Sequence, residues 1–265
     1  LSWRELERGR EFGAKGLALA TRDGTIVAPR AVLVRLQEAR GKSPAEGLIQ
    51  LDDVNLEALG ALASYLPLPR ESRQQLAEAV PRGNLREVAV KWTGDWDTPQ
   101  AYALKGRFAG LGMKPYGVIP GFSGIAGNLD ANEKGGTLSL QAGNASLEFP
   151  KVFRDAMLLD TLTAQLRWKV KRGSVQLDFT NVSYANADLA GNLYGSYQSV
   201  PGTPGILDLT GNLTRADGSR ASRYIPLILG KEAIDWLDAA FLAGHSEDVR
   251  VLVKGNLADF PFVDG

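Results

Sequence analysis

His245 is the single histidine in a chain of 265 residues that has no cysteine, so an ordinary zinc site cannot be assembled from it. It follows Gly244 in a stretch that reads as a helix-to-strand turn, with no nucleophile motif beside it, and it reads as a turn residue. Gly121, Gly124 and Gly127 form a ladder that superficially matches a phosphate-binding loop. Such a loop must open a helix whose amides face the phosphate. Here Asn128 to Leu140 head into strands and no lysine-serine pair follows, so a turn and a strand kink are expected instead. Carboxylates cluster at Asp52-Asp53, at Asp95 with Asp97, and at Glu247-Asp248. Adjacency supplies neither the separation of a glycosidase pair nor the ligand spacing of a calcium loop, and caps and turns account for all three. Asn144-Ala145-Ser146, Asn181-Val182-Ser183 and Asn212-Leu213-Thr214 fit the glycosylation pattern and carry no weight in a turn-rich chain. The expectation is no catalytic residue, no metal, no cofactor and no enzyme.

What remains is apolar. Leu138, Leu140, Leu147, Phe149, Leu166, Trp168, Val170, Val175, Leu177 and Phe179 form one hydrophobic side. Two readings fit it: the core of a closed sandwich buried against a second sheet, or a curled sheet whose concave face stays open to apolar ligands.

Two hairpins are expected to position these residues. In the first, Thr137 to Phe149 alternate on both sides of Gly143-Asn144, and a two-residue turn there sets Ala142 opposite Ala145, Leu140 opposite Leu147 and Leu138 opposite Phe149. In the second, a turn at Arg172-Gly173 sets Val170 opposite Val175, Trp168 opposite Leu177 and Leu166 opposite Phe179. The other face then carries Arg167 opposite Asp178 and Lys169 opposite Gln176. Further strands are expected at 189–197, 207–213 and 249–257. On the N-terminal side come 17–27 with a turn at Asp23-Gly24, 32–36, 48–51, 88–96 and 102–108. Glycines recur inside these strands at Gly94, Gly106, Gly191, Gly195, Gly211 and Gly255, where they permit bulges and bends. Three short helical patterns appear. Asp53 caps the first, which carries Leu56, Leu59, Leu62 and Leu66; Ser72 caps the second, with Leu76, Ala79 and Val80; the third carries Ile234, Leu237, Ala240 and Phe241. Gly83 and Gly244 stand where left-handed helix caps are expected.

The chain also repeats itself. Tyr65-Leu66-Pro67-Leu68 returns about 160 residues later as Tyr224-Ile225-Pro226-Leu227. Leu76, Ala79, Gly83, Val88, Val90 and Gly94 return as Leu237, Ala240, Gly244, Val249, Val251 and Gly255. Arrays of similar units work through a shared surface more often than through one catalytic pocket. The domains expected are a first β repeat over 1–110, with helices near 54–66 and 72–80, and a second over 111–265, with a helix near 231–242.

Composition excludes some partners. Thirty basic residues are interleaved with thirty acidic ones for a formal charge of +0, which leaves no footprint for nucleic acid. No run long enough to span a membrane is present, and the chain opens on Leu1, which reads as a piece of a longer protein. The fold class expected is mainly β with a few short helices, in a curled antiparallel sheet.

Arg223-Tyr224-Ile225-Pro226, Trp236-Leu237, Gly244 and Gly255-Asn256-Leu257-Ala258-Asp259-Phe260-Pro261-Phe262 carry a resemblance. In that order they resemble the YhdP family of AsmA-like bacterial envelope proteins. Gly121-Phe122-Ser123-Gly124, Phe149-Pro150-Lys151-Val152-Phe153 and Leu166-Arg167-Trp168 resemble its central region. The likeness runs from about residue 115 to the end. Before that, Tyr65-Leu66-Pro67 and Gly94 carry it as the earlier repeat, and Ile225 replaces the usual leucine. The resemblance implies a longer parent with an inner-membrane helix, a periplasmic rod of β-groove repeats, and a hydrophobic conduit that carries phospholipid between inner and outer membranes. It implies phospholipid acyl chains and adjacent repeats of the same parent as partners, and it favours the open groove, with 1–110 and 111–265 as β-groove repeats and Tyr65 and Tyr224 as equivalent points along one wall. The lining candidates are then the ten apolar residues above together with Val88, Val90, Trp92, Val249, Val251 and Val253. The alternative is a structural or interaction module with a closed core and no lipid transport.

Overall fold

The computed structural model describes residues 1–20, 26–27, 29–62, 70–117, 119–240 and 243–259. The chain is mainly antiparallel β, as its alternating apolar pattern predicts. The first strands are β1 (Ser2–Leu6), β2 (Gly9–Lys15), β3 (Leu19–Ala20), β4 (Ile26–Val27), β5 (Ala31–Gln37), β6 (Glu46–Asp52) and β7 (Val54–Asn55). Helices α1 (Leu56–Leu62) and α2 (Arg70–Ala79) precede β8 (Arg82–Gly94), β9 (Pro99–Met113), β10 (Gly121–Asn132), β11 (Gly135–Glu148) and β12 (Met157–Lys171). Then come β13 (Ser174–Ala185), β14 (Leu189–Gln198), β15 (Ile206–Asp217), helix α3 (Gly230–Ala240), β16 (His245–Ser246) and β17 (Val249–Asn256). No helix among the described residues is long and apolar enough to cross a membrane.

The chain divides into two compact units, Leu1–Tyr116 with Ala126–Gly136, and Gly117–Ile125 with Thr137–Gly265. The first has the strand order β1-β2-β5-β6-β8-β9, with β7 also beside β8; in the second, β11-β12-β13-β14-β15 are neighbours in turn and β15 also pairs β16 and β17. Almost every connection is a hairpin or a short excursion between sheet neighbours, so little loop entropy opposes the pairing. Among the described residues strands β3 and β4 pair only with each other, and the expected Asp23-Gly24 turn between them lies outside those residues.

The second expected hairpin has the register read from its residues: Val170 faces Val175, Trp168 faces Leu177, Leu166 faces Phe179, Arg167 faces Asp178 and Lys169 faces Gln176. Both turn residues have positive φ, 49° at Arg172 and 78° at Gly173, the conformation that continues the twist of the two strands.

The first expected hairpin does not exist. Residues 135 to 148 form one unbroken strand, β11, through Gly143-Asn144. Asn144 sits at a φ of 61° and acts as a bulge. The inserted residue shifts the phase of the alternation, so Leu140 and Ala142 before it and Ala145 and Leu147 after it reach one cluster. A hairpin and a bulge both keep Ala142 and Ala145 on one side, and alternation alone cannot separate them. Substitution can. Gly143 does not hold a positive φ, and the nearest atom to an added β-carbon is the Asp160 carbonyl oxygen at 3.9 Å. Gly143→Ala is therefore expected to be neutral or slightly stabilising in thermal unfolding. Asn144→Val, a β-branched residue at positive φ, is expected to cost about 1–2 kcal/mol. A type II′ turn would make Gly143→Ala the costly change.

The helix ends also depart from expectation. Asn55, not Asp53, caps α1, its Oδ1 accepting the Ala58 amide at 2.8 Å. Asp53 lies in the preceding turn at a φ of 55°. Helix α2 starts two residues before Ser72, which is thus inside its first turn and not its cap. The left-handed residue that closes α2 is Val80, at a φ of 44° with its amide bonded to the Leu76 carbonyl. Gly83 belongs to β8, where a β-carbon would approach the Gly110 carbonyl oxygen to 2.6 Å. Gly244, at a φ of 146°, is not a left-handed cap either. The residues from 63 to 69, including Tyr65-Leu66-Pro67-Leu68, and Phe241 lie outside the described residues.

Tyr224 can be followed. It ends a 3-10 turn over Gly218–Tyr224. Its hydroxyl donates to Asp188 Oδ2 at 3.1 Å and accepts from Asn186 Nδ2 at 2.9 Å. Arg223 pairs with the same Asp188 oxygen at 3.1 Å. Buried Asn186 also reaches the Leu158 carbonyl at 2.7 Å. Burial pushes the Tyr224 hydroxyl pKa up. The repeated tyrosine is an anchor that ties the excursion after β15 to the β13–β14 turn, and not a point along an apolar wall.

Asp217 starts that excursion. Its Oδ1 accepts from the Ser219 hydroxyl at 2.7 Å and the Ser219 amide at 2.9 Å, which lowers its pKa below the ordinary 3.8. A depressed carboxylate contributes stability above its unfolded pKa and loses it as pH falls through the folded value. Asp217→Ala is therefore expected to lower Tm at neutral pH, with the gap to the parent closing below about pH 4. A gap that is constant from pH 7 to pH 3 would contradict the cap.

Candidate functional site: an apolar face in each unit

Residues directly opposite one another in antiparallel strands point to the same face. In the second unit the pairings of β12, β13, β14, β15 and β17 trace four rows. Leu162, Tyr184, Gly191, Leu213 and Val249 form one. Ala164, Val182, Leu193, Gly211 and Val251 form the next. Leu166, Phe179, Gly195, Leu209 and Val253 form the third, and Trp168, Leu177, Tyr197, Leu207 and Gly255 the fourth. Val170 with Val175 extends the face toward the turn. Every position in these rows is apolar, aromatic or glycine.

Bulges keep the face continuous where the alternation slips. Between Phe179 and Val182 the register of β13 shifts past Thr180, whose hydroxyl donates to the Gln165 carbonyl at 2.9 Å. Odd positions face the rows before that shift and even positions after it. On the β11 side, Leu140 and Leu147 pack with Leu166 and Phe179 around a buried cluster of Ala142, Ala145, Leu159, Leu162, Ala164 and Val182. Leu138 is half-buried one alternation step from Leu140. Phe149 lies beyond the end of β11 and stacks edge-to-face on Phe153, with ring centroids 6.2 Å apart.

The first unit has its own face. Val32, Leu51 and Val88 share it; so do Val34, Ile49, Val90 and Leu104, and Leu36, Gly47, Trp92 and Tyr102. Trp92 lies over Gly47, where a β-carbon would fall 1.9 Å from its ring, and its own ring meets Trp96 edge-on at 4.9 Å. Glu87, at a φ of 49°, supplies the bulge that brings Leu85 and Val88 into phase.

Of the sixteen expected lining residues, fifteen thus sit on an apolar face of their unit and Phe149 stands off the strand. The residues that spacing passed over are Leu159, Leu162, Val182, Tyr184, Leu193, Leu207, Leu209 and Leu213, and in the first unit Val32, Val34, Ile49, Leu51 and Leu104. Val182 and Tyr184 lie beyond a bulge that shifts the phase of β13, whereas Val32, Val34, Ile49, Leu51, Leu207, Leu209 and Leu213 keep one phase in pairings without a shift.

The degree of burial separates an open face from a core. No large side chain among the described residues is completely buried. Trp168, Val170, Val175, Leu177 and Phe179 are half-buried, while Arg167, Lys169 and Lys171 between them are exposed. Val251 keeps 44% of its surface, and Trp92 at 8% is the most enclosed of the expected lining residues. A sandwich core would be dry at these positions. Two concavities of the first unit, about 410 Å³ beside Arg35, Leu48 and Lys91 and about 690 Å³ beside Leu33 and Gln50, are lined mainly from the opposite face. The apolar face of each unit is accordingly an open surface and not a closed pocket.

In the second unit the charged residues of these strands lie on the other side, whereas in the first Arg10, opposite Leu36, and Glu5, opposite Arg10, stand at the β1–β2 edge of the apolar face. Lys254 and Asp208 pair at 2.8 Å across β17 and β15, and Lys105 and Asp130 at 2.9 Å. On the apolar face of the second unit the only titratable groups in the rows are tyrosines, and burial raises the pKa of Tyr184. His245 is exposed and pairs with Asp217 through the backbone. Asp52 is held by Arg30, which lowers its pKa; Glu247 and Asp248 lie in a turn. Among the described residues no group of histidine and carboxylate side chains could hold a metal ion. The Gly121 ladder runs inside β10, with Gly124 against the Asn144 carbonyl.

Comparison with known proteins gives the same direction. The family model described as YhdP protein matches residues 1–265. The chain is 27% identical over 218 residues to the intermembrane phospholipid transporter YhdP of Escherichia coli strain K12. That alignment covers 78% of this chain and 17% of the relative, so the chain spans about a sixth of the relative's length. No solved structure matches.

Proposed function

The chain belongs to the YhdP family, and from that membership and its apolar faces we propose that it is one segment of a hydrophobic conduit carrying phospholipid between inner and outer membranes. The observation that carries this reading is the set of four apolar rows across β12 to β17, free of charge and, beyond buried Leu162, Ala164, Val182 and Gly211, only partly buried. The stretches 1–110 and 111–265 of the sequence are two β-groove repeats. Further repeats of a longer parent chain supply further apolar faces, and an inner-membrane anchor in that parent holds it in the periplasm.

The physics needs no catalytic group. Acyl chains lie along the apolar face and the head group projects into water, because burying an unpaired phosphate costs far more than burying a hydroxyl. At about 0.8 kcal/mol for each methylene kept from water, an apolar surface lowers the barrier to crossing an aqueous gap. Movement along it requires contacts that are uniform, weak and non-directional. Rows of leucine, valine and glycine meet that requirement, and a polar constellation would act as a trap. This role is non-enzymatic.

Native mass spectrometry of the purified chain tests the reading. Phospholipid masses are expected on the protein after extraction from bacterial membranes, and they should exchange for added phospholipid. A chain that is lipid-free when purified and takes up none from vesicles would contradict the conduit and favour a closed structural module.

A further inference from the structure

The outer face of β12 carries Arg167, Lys169 and Lys171 in alternation with Leu166, Trp168 and Val170, and Arg172 follows in the turn. All four cations are exposed, and among the described residues none makes an ion pair or a side-chain hydrogen bond. Their cross-strand neighbours are Asp178, Gln176 and Ser174, with Ser196 and Gln198 beyond on β14. Asp178 is the single carboxylate in that set; it accepts from Gln176 Nε2 at 3.2 Å and does not pair with Arg167. In a chain whose charges balance at thirty of each sign, this is a local excess, and like charges on adjacent alternate positions repel.

The position of the excess matters more than its size. Val170 and Val175 are the last apolar pair before the turn, and Lys171 and Arg172 are the next two residues. An amphiphile lying over Trp168, Leu177, Val170 and Val175 ends at this lip. Lysine reaches over such an edge on a flexible apolar stem, and arginine offers a planar fork to phosphate oxygens. We propose that Lys171 and Arg172 form a phosphate-binding lip that holds the head group of a glycerophospholipid on the apolar face of the second unit, with Lys169 and Arg167 adding to its positive field.

The proposal rests on the conduit reading, and the test separates the two. Phosphatidate and diacylglycerol with identical photoactivatable acyl chains are presented to the chain in neutral phosphatidylcholine vesicles. The parent chain is expected to capture phosphatidate about tenfold better than diacylglycerol at low ionic strength, with the ratio falling toward one in about 0.5 M salt. Lys171→Gln combined with Arg172→Asn is expected to bring the ratio to about one with diacylglycerol capture unchanged; asparagine suits the positive φ of that position. An unchanged ratio in the double variant overturns the lip while leaving the conduit standing. Capture of neither lipid by the parent chain overturns the conduit and the lip with it. In a parallel phosphorus NMR titration, inorganic phosphate alone is expected not to bind. Binding of inorganic phosphate that needs Lys171 and Arg172, with phosphatidate capture independent of them, would assign the cations to a free anion and overturn the proposal.

Discussion

Replacing Gly195 with alanine is expected to destabilise the second unit by about 3 kcal/mol or more, enough to lower its Tm by roughly 6–12 °C. An added β-carbon would fall 2.0 Å from the Asp208 carbonyl oxygen and 2.8 Å from the Leu209 Cα, both backbone atoms of the neighbouring strand. A side chain can rotate away from such an overlap. A strand fixed on its other edge by β17 cannot do so without losing its ladder. At Gly191, four residues earlier on β14, an added β-carbon would fall 2.3 Å from the Asn212 carbonyl oxygen, and Gly191→Ala should behave alike. Gly211, on the same apolar face, supplies the contrast. Its nearest neighbour would be Val251 Cβ at 3.8 Å, an ordinary contact, and Gly211→Ala should leave Tm within about 2 °C of the parent. Equal losses at all three positions would mean that the close approach of β14 to β15 is not what these glycines serve.

The second large effect concerns the face and not the fold. Leu177 lies in the row of Trp168, Tyr197, Leu207 and Gly255 and is half-buried. Leu177→Asp places a carboxylate among acyl chains, where it stays charged only by keeping water beside it. Phospholipid recovered with the chain should fall about tenfold, corresponding to a modest part of the cost of desolvating a charge. The position is open enough for an aspartate to remain hydrated in the lipid-free protein, so the circular dichroism spectrum should be unchanged. Ser183→Asp, on the opposite face of the same strand and away from the cations of β12, should recover as much lipid as the parent. Loss of lipid in both variants would show that charge anywhere on β13 suffices and that the face has no special role.

Local pairing was legible in the residues wherever a strand kept one phase. The β12–β13 hairpin came out to the residue because its turn, its apolar pairs and its polar pairs all specify one register. At Gly143-Asn144 the same signal pointed to the wrong element. A bulge and a two-residue turn present identical alternation, and what separates them is the partner strand, which the local sequence does not contain. Bulges also hid part of the site. Thr180 and Glu87 shift the apolar phase by one, so Val182, Tyr184 and Leu85 looked misplaced until cross-strand partners were known. The helix caps failed for a different reason. Asp53 and Gly83 have the right residue types, but Asn55 and Val80 occupy the geometry, showing that tertiary context overrides a cap preference worth about 1 kcal/mol. The repeated tyrosine was visible as a repeat, whereas its role at Tyr224 depends on Asn186 and Asp188, far off in sequence.

The most direct test of the lipid-facing surface is a photo-crosslinking scan along β12, placing the crosslinker in turn at each residue from Gln165 to Val170 in the membrane-exposed chain. Capture of phospholipid is expected at Leu166, Trp168 and Val170, and at Leu140 on β11, with little at Gln165, Arg167 and Lys169. That two-residue period is the signature of a lipid lying on one face of a strand. Capture that is equal at all six positions, or that favours Arg167 and Lys169, would contradict it.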